Sequence, residues 1–226
     1  MKTEAFNQQL GAGLYTLADI AFLLNLPKGK VRRWMKDFWD TKFGEAYQNK
    51  YSWGEGRDKA TNFYMLIEFY VFYQLRELKV STHRIIVAHQ DMAEQMKTPY
   101  PFASSKLFTD GKNVLFTHHD GTIIEADKSR QAAFKEIIED FCKKISFSDT
   151  TQMAENFYPL GTDKHIVVNP HHQFGQPVVS KTNILAETLY NLFKAGEDIE
   201  FLSRLYQLEE SEVADAISLF NNKTAA

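Results

Sequence analysis

The chain has 226 residues, which suits one or two domains, and its hydrophobic share of 44% and charged share of 24% are those of a folded protein. The net charge of −3 argues against a protein that coats nucleic acid without sequence preference, although it permits a locally basic DNA-reading helix. Cys142 is the only cysteine, which excludes an intramolecular disulfide and a four-cysteine zinc site. Because the sequence shows no signal peptide and no apolar run of about 18 residues, we expect a cytoplasmic location.

Residues 15–38 have the pattern of a helix-turn-helix. Leu17 starts an apolar stripe with helical spacing, Thr16 is its candidate N-cap, and Pro27 can open a second helix as its first residue. The apolar positions of the second helix are Val31, Trp34, Met35 and Phe38. Its other face carries basic side chains and no acid, namely Lys28, Lys30, Arg32, Arg33 and Lys36. The pattern predicts a helix that enters the DNA major groove, although a solvated face with no partner would look similar.

The side chains of this basic face are expected to make different kinds of contact with DNA. Arg32 and Arg33 are the predicted base readers, because the guanidinium fork can address guanine O6 and N7 together. The three lysines are predicted phosphate contacts. The polar loop at 41–60 is either a wing or a connection, and as a wing it would bring Lys50 and Arg57 to the DNA backbone.

Two further helices complete a first piece that we place at residues 1–97. The segment 61–78 is apolar on nearly every side, which predicts a helix that is buried or becomes buried in an oligomer. We expect it to lie in a dimer interface. Ser81 is the expected N-cap of a helix that runs to about Met96.

The middle piece, residues 98–162, is predicted to be a small α/β segment. Residues 106–126 contain two Asp-Gly pairs between β-rich runs, which favours short hairpins. Residues 131–144 return to a helical pattern, and Cys142 lies on its apolar stripe, which indicates a buried structural thiol.

The third piece, residues 163–226, is predicted to contain a short strand at 165–168, a loop at 170–177 and three helices. The helices are expected near 184–194, 198–206 and 209–219, with Gly196 ending the first and Asp198 capping the second. From residue 181 onward the chain has four basic and eight acidic side chains, a balance of −4. DNA would repel such a surface, so it is either a solvated face or a surface for a basic protein partner.

No catalytic motif is present, and we predict a protein without enzymatic activity, cofactor or metal. The histidine pairs His118-His119 and His171-His172 are adjacent in sequence rather than four residues apart on a helix, as zinc sites favour. No glycine-rich phosphate loop or nucleophile elbow occurs.

Several segments resemble known regulators. Residues 15–35, YTLADIAFLLNLPKGKVRRWM, resemble the N-terminal helix-turn-helix of MerR-like regulators. Residues 63–85, FYMLIEFYVFYQLRELKVSTHRI, are similar to the segment that follows this motif in VapB-type antitoxins, and PFASSKLFTDGKNVLF, RQAAFKEIIEDF and ENFYPLG fit the middle of the same group. Residues 167–179, VVNPHHQFGQPVV, with the helices after them, resemble a small uncharacterised helical domain common in bacterial antitoxins.

The resemblance implies an antitoxin of a type II toxin–antitoxin system that binds a PIN-like ribonuclease toxin and represses its own operon. The residues that match the motif of the C-terminal domain are the expected partner contacts, namely Phe174, Gly175, Pro177, Glu197 and Glu210. We expect Phe174 to be a core residue rather than an exposed anchor. The chain departs from the resemblance at residues 181–185, Lys-Thr-Asn-Ile-Leu, which lack the Gly, Arg and Pro of the usual run, so a partner contact through that Arg is in doubt.

The combined prediction is a mainly α fold with a small α+β middle segment. It comprises a MerR-like winged helix-turn-helix, a β-hairpin/helix segment and a C-terminal three-helix domain that itself resembles a helix-turn-helix. The expected partners are operator DNA, the toxin and a second copy of the chain in a homodimer, without a membrane. Two rival hypotheses are a ligand-sensing MerR-like transcription regulator and a protein adaptor that does not bind DNA.

Overall fold

A computed structural model describes residues 13–105 and 143–221, and these form a mainly helical fold with small two-stranded antiparallel sheets. The first part contains β1 (Tyr15–Thr16), α1 (Leu17–Leu24), α2 (Lys28–Trp34), a π-helical continuation of α2 (Met35–Phe43), α3 (Gly44–Tyr47), β2 (Ala60–Thr61), α4 (Phe63–Glu77), α5 (Thr82–Met96) and a 3-10 turn (Pro101–Ala103). The second part contains β3 (Ile145–Phe147), β4 (Ala154–Phe157), β5 (Ile166–Val167), a 3-10 turn (Gln173–Gly175), β6 (Val178–Val179), α6 (Ala186–Lys194), α7 (Ile199–Tyr206) and α8 (Glu210–Asn221). The sheets pair β1 with β2, β3 with β4, and β5 with β6.

The predicted pair of helices at the start of the chain is present. Thr16 and Asp19 form a capping box, in which the Thr16 N–H donates to the Asp19 carboxylate at 2.8 Å and the Asp19 N–H donates to Thr16 Oγ1 at 3.1 Å. Asn25 ends α1 in the left-handed conformation with φ of 53°. Pro27 lies one residue before α2 as its cap residue, rather than inside the helix as its first residue.

Helix α4 is buried within the chain itself. Most of its residues are buried, and Phe69 and Phe72 pack on Trp39 with ring centroids 4.6 and 5.4 Å apart. On another side, Tyr70 packs on Phe157 of β4 at 5.1 Å. The expectation that this helix needs a second copy to cover its apolar sides is therefore wrong. The π-helical continuation of α2 and the distant β3–β4 hairpin supply the cover.

The buried side chains form two cores that meet near β5. The first core unites α1 to α5 with the β3–β4 hairpin, while the second lies among α6, α7, α8, β5 and β6. Ile166 belongs to the second core, whereas Val168 exchanges two backbone hydrogen bonds with Phe157 and belongs to the first. Phe22 packs against both cores. The domain boundaries at 97/98 and 162/163 stay predictions.

The C-terminal helices agree with the sequence pattern. Asp198 caps α7 by accepting a hydrogen bond from the Phe201 N–H at 2.7 Å, and Gly196 follows α6 with φ of +111°. The predicted hairpins at 106–126, most of the predicted helix at 131–144, Cys142 and the pair His118-His119 lie outside the described residues. Within 13–105 and 143–221, no helix has the length and apolar character needed to cross a membrane.

Candidate nucleic-acid and partner interfaces

The basic face of α2 is exposed at four of its five predicted positions. Val31, Trp34 and Met35 are buried against the core, so the opposite side of the helix points outward. The exposed basic side chains are Lys28, Arg32, Arg33 and Lys36. The arrangement provides two guanidinium groups flanked by two ammonium groups on one helical surface. Such a surface can neutralise phosphates and can present a planar donor fork to a base edge.

Lys30 occupies a different environment from the other four basic residues. It is half-buried, and its Nζ lies 5.1 Å from the ring centroid of Trp34 and 5.0 Å from that of Tyr73. These are cation–π distances, which hold the ammonium group against the aromatic surface of α2 and α4. Lys30 therefore stabilises the position of the helix as well as adding positive charge.

The core and the π-helical continuation hold the basic helix in place. Trp39 and Phe43 on this continuation are fully buried, while Lys36 on the same segment is exposed. The hydroxyl of Thr41 donates to the backbone carbonyls of Lys36 and Asp37 at 3.0 and 2.9 Å. A surface fixed in this way needs little ordering before it binds.

The predicted loop at 41–60 is helical as far as Tyr47, and its second half contains a short hairpin. Trp53 and Ala60 exchange two backbone hydrogen bonds of 2.8 Å, and the Ala60–Thr61 strand continues to β1. Asp40 fastens the hairpin to the basic helix by accepting hydrogen bonds from Ser52 Oγ and Lys59 Nζ, both at 2.7 Å. These contacts fix the hairpin against the segment that continues α2.

Both basic residues predicted for this wing are exposed. Arg57 lies in the turn at the hairpin tip, and Lys50 precedes the hairpin. The acidic residues Glu55 and Asp58 share the tip with Arg57 and are also exposed. The tip therefore has no net positive charge, in contrast to the exposed side of α2.

A buried polar pair beneath these elements was not predicted from the sequence. His89 Nε2 lies 2.8 Å from Glu68 Oε2, and the Phe102 N–H donates to Glu68 Oε1 at 2.8 Å. The His89 ring stacks on Phe43 with centroids 4.0 Å apart. Glu68 thus joins α4, α5 and the 3-10 turn around a ring that supports the π-helical continuation. The available signal was an acidic residue in the middle of an apolar helix, since buried charges are normally paired.

The loop at 170–177 presents an aromatic side chain outward. Phe174 is 81% exposed, so the prediction that it is a core residue is wrong. The side chain of Tyr15 lies beneath this loop, because a Cβ placed on Gly175 would be 2.1 Å from Tyr15 Oη. The Leu14 N–H also donates to the Phe174 carbonyl at 3.3 Å. Because the Tyr15 side chain occupies the space beneath the loop, the Phe174 ring points into solvent.

Gly175 is buried and has φ of +87°, a backbone conformation that favours glycine. Any side chain there would collide with Tyr15, so its role is in positioning the loop. The Tyr15 hydroxyl is itself buried without a hydrogen-bond partner among the described residues. Burial, and then the nearby charge of Asp19, raise the pKa of Tyr15, so this hydroxyl stays protonated.

A cleft of about 290 Å³ lies where α1 meets the C-terminal part. Its walls are Leu14, Tyr15, Asp19, Phe22, Leu23, Gly175, Gln176, Pro177, Leu185, Glu187 and Phe220. Two of the five predicted partner residues, Gly175 and Pro177, line this cleft, whereas Glu197 and Glu210 lie outside it and are exposed elsewhere. We call this site the interdomain cleft.

Asp215 ties the start of β5 to α8. It is 6% exposed and accepts hydrogen bonds from Lys164 Nζ at 3.1 Å, from the His165 N–H at 3.1 Å and from His165 Nδ1 at 2.8 Å. Burial acts to raise the pKa of Asp215, but the hydrogen bonds from His165 and Lys164 outweigh it and lower the pKa below its ordinary value. The carboxylate therefore has a structural role in the C-terminal part.

Two apolar side chains on α7 are also exposed, Phe201 at 40% and Leu205 at 56%. They are four residues apart and so lie on one helical face. His171 and His172 are both exposed on the loop before Phe174. In the described ranges, no group of three or more His, Cys, Asp or Glu side chains could hold a metal ion.

These features describe a mainly helical protein with an exposed basic helix near one end and an acidic helical part at the other. Residues 166–219 match a family described as "Protein of unknown function (DUF433)". Over 221 residues the chain is 24% identical to "Putative antitoxin VapB45" of Mycobacterium tuberculosis, a match that covers 90% of this chain and 92% of that protein. The crystal structure of Rv2018 from Mycobacterium tuberculosis shares the fold, with a TM-score of 0.68 at 22% identity over 90% of this chain and 96% of that one. The chain is therefore antitoxin-like along most of its length.

Proposed function

We propose that this protein is the antitoxin of a type II toxin–antitoxin system. It binds and neutralises a PIN-like ribonuclease toxin, and it represses its own operon by binding operator DNA as a dimer through a MerR-like helix-turn-helix. The observation that carries the proposal is the similarity to an antitoxin over 90% of the chain, in a protein with an exposed basic helix. The acidic C-terminal part supplies a second surface, suited to a protein partner rather than to DNA.

In the DNA complex, α2 lies in the major groove with its basic face toward the bases. Arg32 and Arg33 read base edges, while Lys28 and Lys36 contact phosphates on either side. Lys30 adds positive charge from its place on Trp34 and Tyr73. Lys50 and Arg57 of the hairpin contact the flanking backbone.

The DNA-binding role is tested with fluorescence anisotropy on duplex DNA from the region upstream of the protein's own gene. Replacement of both Arg32 and Arg33 by Ala should cost roughly 1–3 kcal/mol for each good base contact that is lost. The matched control is Arg204→Ala, which removes an exposed arginine that pairs with Glu200 at 3.2 Å in the acidic part. Equal affinities for the unaltered chain and the double variant would rule out this helix as the reader.

The toxin-binding role is tested by co-expression with the adjacent reading frame, followed by pull-down and growth measurements. An antitoxin should capture that gene product and relieve its toxicity. Point variants of the full chain are the suitable tools, because Tyr15 and Phe22 pack against the C-terminal part and a truncation near residue 162 would uncover them. If the adjacent product is not captured while DNA binding persists, the result supports a transcription regulator instead.

The dimer is tested by light scattering on the purified chain. A two-fold dimer would place two reading helices on half-sites about one helical turn apart, or a multiple of that distance. Its contacts must come from surfaces other than α4, which the chain covers itself. A monomer at micromolar concentration without DNA would contradict the dimer.

A further inference from the structure

We propose that the interdomain cleft is the docking site for a segment of the toxin that presents an arginine or lysine next to an apolar side chain. This inference rests on the proposed function and names the surface that the partner uses. The four observations behind it are the charge of the cleft, its apolar lining, its exposed rim and the way its walls are fixed.

Two of the described residues that line the cleft carry a charge, and both are acidic. Asp19 of α1 and Glu187 of α6 are both exposed, and none of the described residues that line the cleft is basic. Two carboxylates facing one space repel each other and attract a cation. A cationic side chain from a partner would relieve that repulsion and would be favoured over an acidic or neutral one.

The rest of the lining is apolar and aromatic. Phe22 and Phe220 stand with ring centroids 5.0 Å apart, and Leu23 and Leu185 contribute aliphatic surface. An arginine suits this combination better than a small cation would, because its flat guanidinium can stack on a ring while it pairs with a carboxylate. The methylene stem of a lysine could use the same apolar surface.

The rim carries the most exposed large apolar side chains of the described ranges. Phe174 is 81% exposed and Leu14 is 67% exposed, and the hydrogen bond from the Leu14 N–H to the Phe174 carbonyl holds the two residues side by side. An exposed aromatic residue beside a cleft is typical of a binding anchor. The backbone of Phe174 is in the left-handed region with φ of 55°, an uncommon conformation for a large side chain. The loop therefore holds this ring outward despite a strained backbone.

The walls of the cleft are fixed before any partner arrives. Asp19 is held by hydrogen bonds from the Thr16 backbone and hydroxyl at 2.8 and 2.7 Å. Phe220 is stacked on Tyr190 with centroids 4.7 Å apart, and Gly175 lies against Tyr15. A site already in its binding geometry loses little conformational entropy on association. Because α1 forms one wall, an occupied cleft also places the partner next to the DNA-binding part.

The test measures capture of the purified product of the adjacent reading frame by full-length variants, using isothermal titration calorimetry. Glu187→Lys reverses one charge of the cleft, and Phe174→Ala removes the rim anchor. Each should weaken binding by about tenfold or more, which corresponds to about 1.4 kcal/mol or more, because both side chains are anchors of the proposed contact. Glu155→Lys, at an exposed position on β4, is the matched charge control and should bind as the unaltered chain does.

Further controls distinguish the cleft from the exposed face of α7, from unfolding and from a contact between copies of the chain. The double variant with Phe201→Ala and Leu205→Ala removes the exposed apolar face of α7. If this variant no longer binds the adjacent gene product while the cleft variants still bind it, the proposal is overturned. Operator affinity of the Phe174→Ala and Glu187→Lys chains should equal that of the unaltered chain, which excludes unfolding. A change in oligomeric state of either variant would instead identify the cleft as a contact between copies, and this too would overturn the proposal.

The outcomes also separate this inference from the proposed function. If the unaltered chain captures the adjacent gene product and the cleft variants capture it equally well, the cleft proposal fails and the antitoxin proposal stands. If the unaltered chain captures nothing, both fail. Loss of capture in the two cleft variants but not in the controls supports both the cleft proposal and the antitoxin proposal.

Discussion

The first part of the chain and the C-terminal part differ in charge, although both are small helical units. Helix α2 and its π-helical continuation expose four basic side chains on one surface, while the chain from residue 181 onward carries a balance of −4. The overall charge of −3 hides this division. The two parts therefore suit partners of opposite charge, since a basic surface attracts phosphates and an acidic one attracts a basic protein.

The two parts also differ in how their cores are built. Large aromatic rings fill the first core, including Trp39, Phe43, Phe69 and Phe72, whereas the second consists mainly of aliphatic residues such as Leu189, Leu202 and Val213. The first core contains a fully buried polar pair, Glu68 with His89. The corresponding polar cluster in the second part, around Asp215, has partners that are over 40% exposed. Removal of a polar partner should therefore lower the free energy of unfolding more in the first part than in the C-terminal part.

The largest expected effect is that of Glu68→Ala. It leaves the His89 ring nitrogen and the Phe102 N–H buried without their acceptor, and should destabilise the first part by about 3–5 kcal/mol. Urea unfolding followed by tryptophan fluorescence measures this, because all three tryptophans, Trp34, Trp39 and Trp53, lie in the first part. Glu77→Ala, at an exposed position on the same helix, is the control. Similar midpoints for the two variants would contradict the buried-pair role.

The contact between the two parts should be broken by Gly175→Ala. The new methyl group would overlap Tyr15 at a position with φ of +87°, so we expect a loss of about 2–4 kcal/mol. Gly196→Ala is the matched control, because its φ is +111° but no atom lies within 4 Å of the added Cβ. Thermal unfolding compares the two. Equal losses would mean that backbone strain alone, rather than contact with Tyr15, explains the effect.

The acid sensitivity of the C-terminal part should depend on Asp215. Its pKa is lowered in the folded state, so its contribution is fully present above the unfolded value of about 3.9 and is lost as pH falls through the folded pKa. Asp215→Asn should cost about 1–2 kcal/mol at neutral pH and flatten the loss of stability below about pH 4. Circular dichroism across that pH range measures the effect, with exposed Asp163→Asn as control. An unchanged acid profile would exclude Asp215 as its cause.

The smallest expected effect is that of Lys36→Ala on DNA binding. Removal of one phosphate contact should weaken binding to all sequences alike and should lower the slope of log affinity against log salt by about one unit. The control is Lys79→Ala, an exposed lysine just after α4. Anisotropy titrations at several salt concentrations supply the slopes. Equal slopes for the two variants would move the phosphate contact away from Lys36.

The basic helix shows how much of a candidate functional site can be predicted from the local sequence pattern. The apolar spacing of Val31, Trp34 and Met35 predicted which side of α2 is buried, and the basic side followed from it. The pattern did not reveal that Lys30 lies on Trp34 and Tyr73, because Tyr73 comes from a different helix. The interdomain cleft was beyond prediction for the same reason, since its walls come from segments far apart in the chain.

Local residue patterns alone specify most of the described helix caps and helical faces. The caps at Thr16 and Asp198, the turn at Gly196 and the helical stripes depend on interactions over three or four residues, and the structure contains them as expected. Which apolar surfaces are covered depends instead on contacts between segments that are far apart in the chain. Helix α4 is covered by segments that include the distant Phe157, and Phe174 is exposed because Tyr15 lies beneath its loop. Hydrophobic periodicity reports that a face avoids water, but the packing of remote segments determines what covers that face.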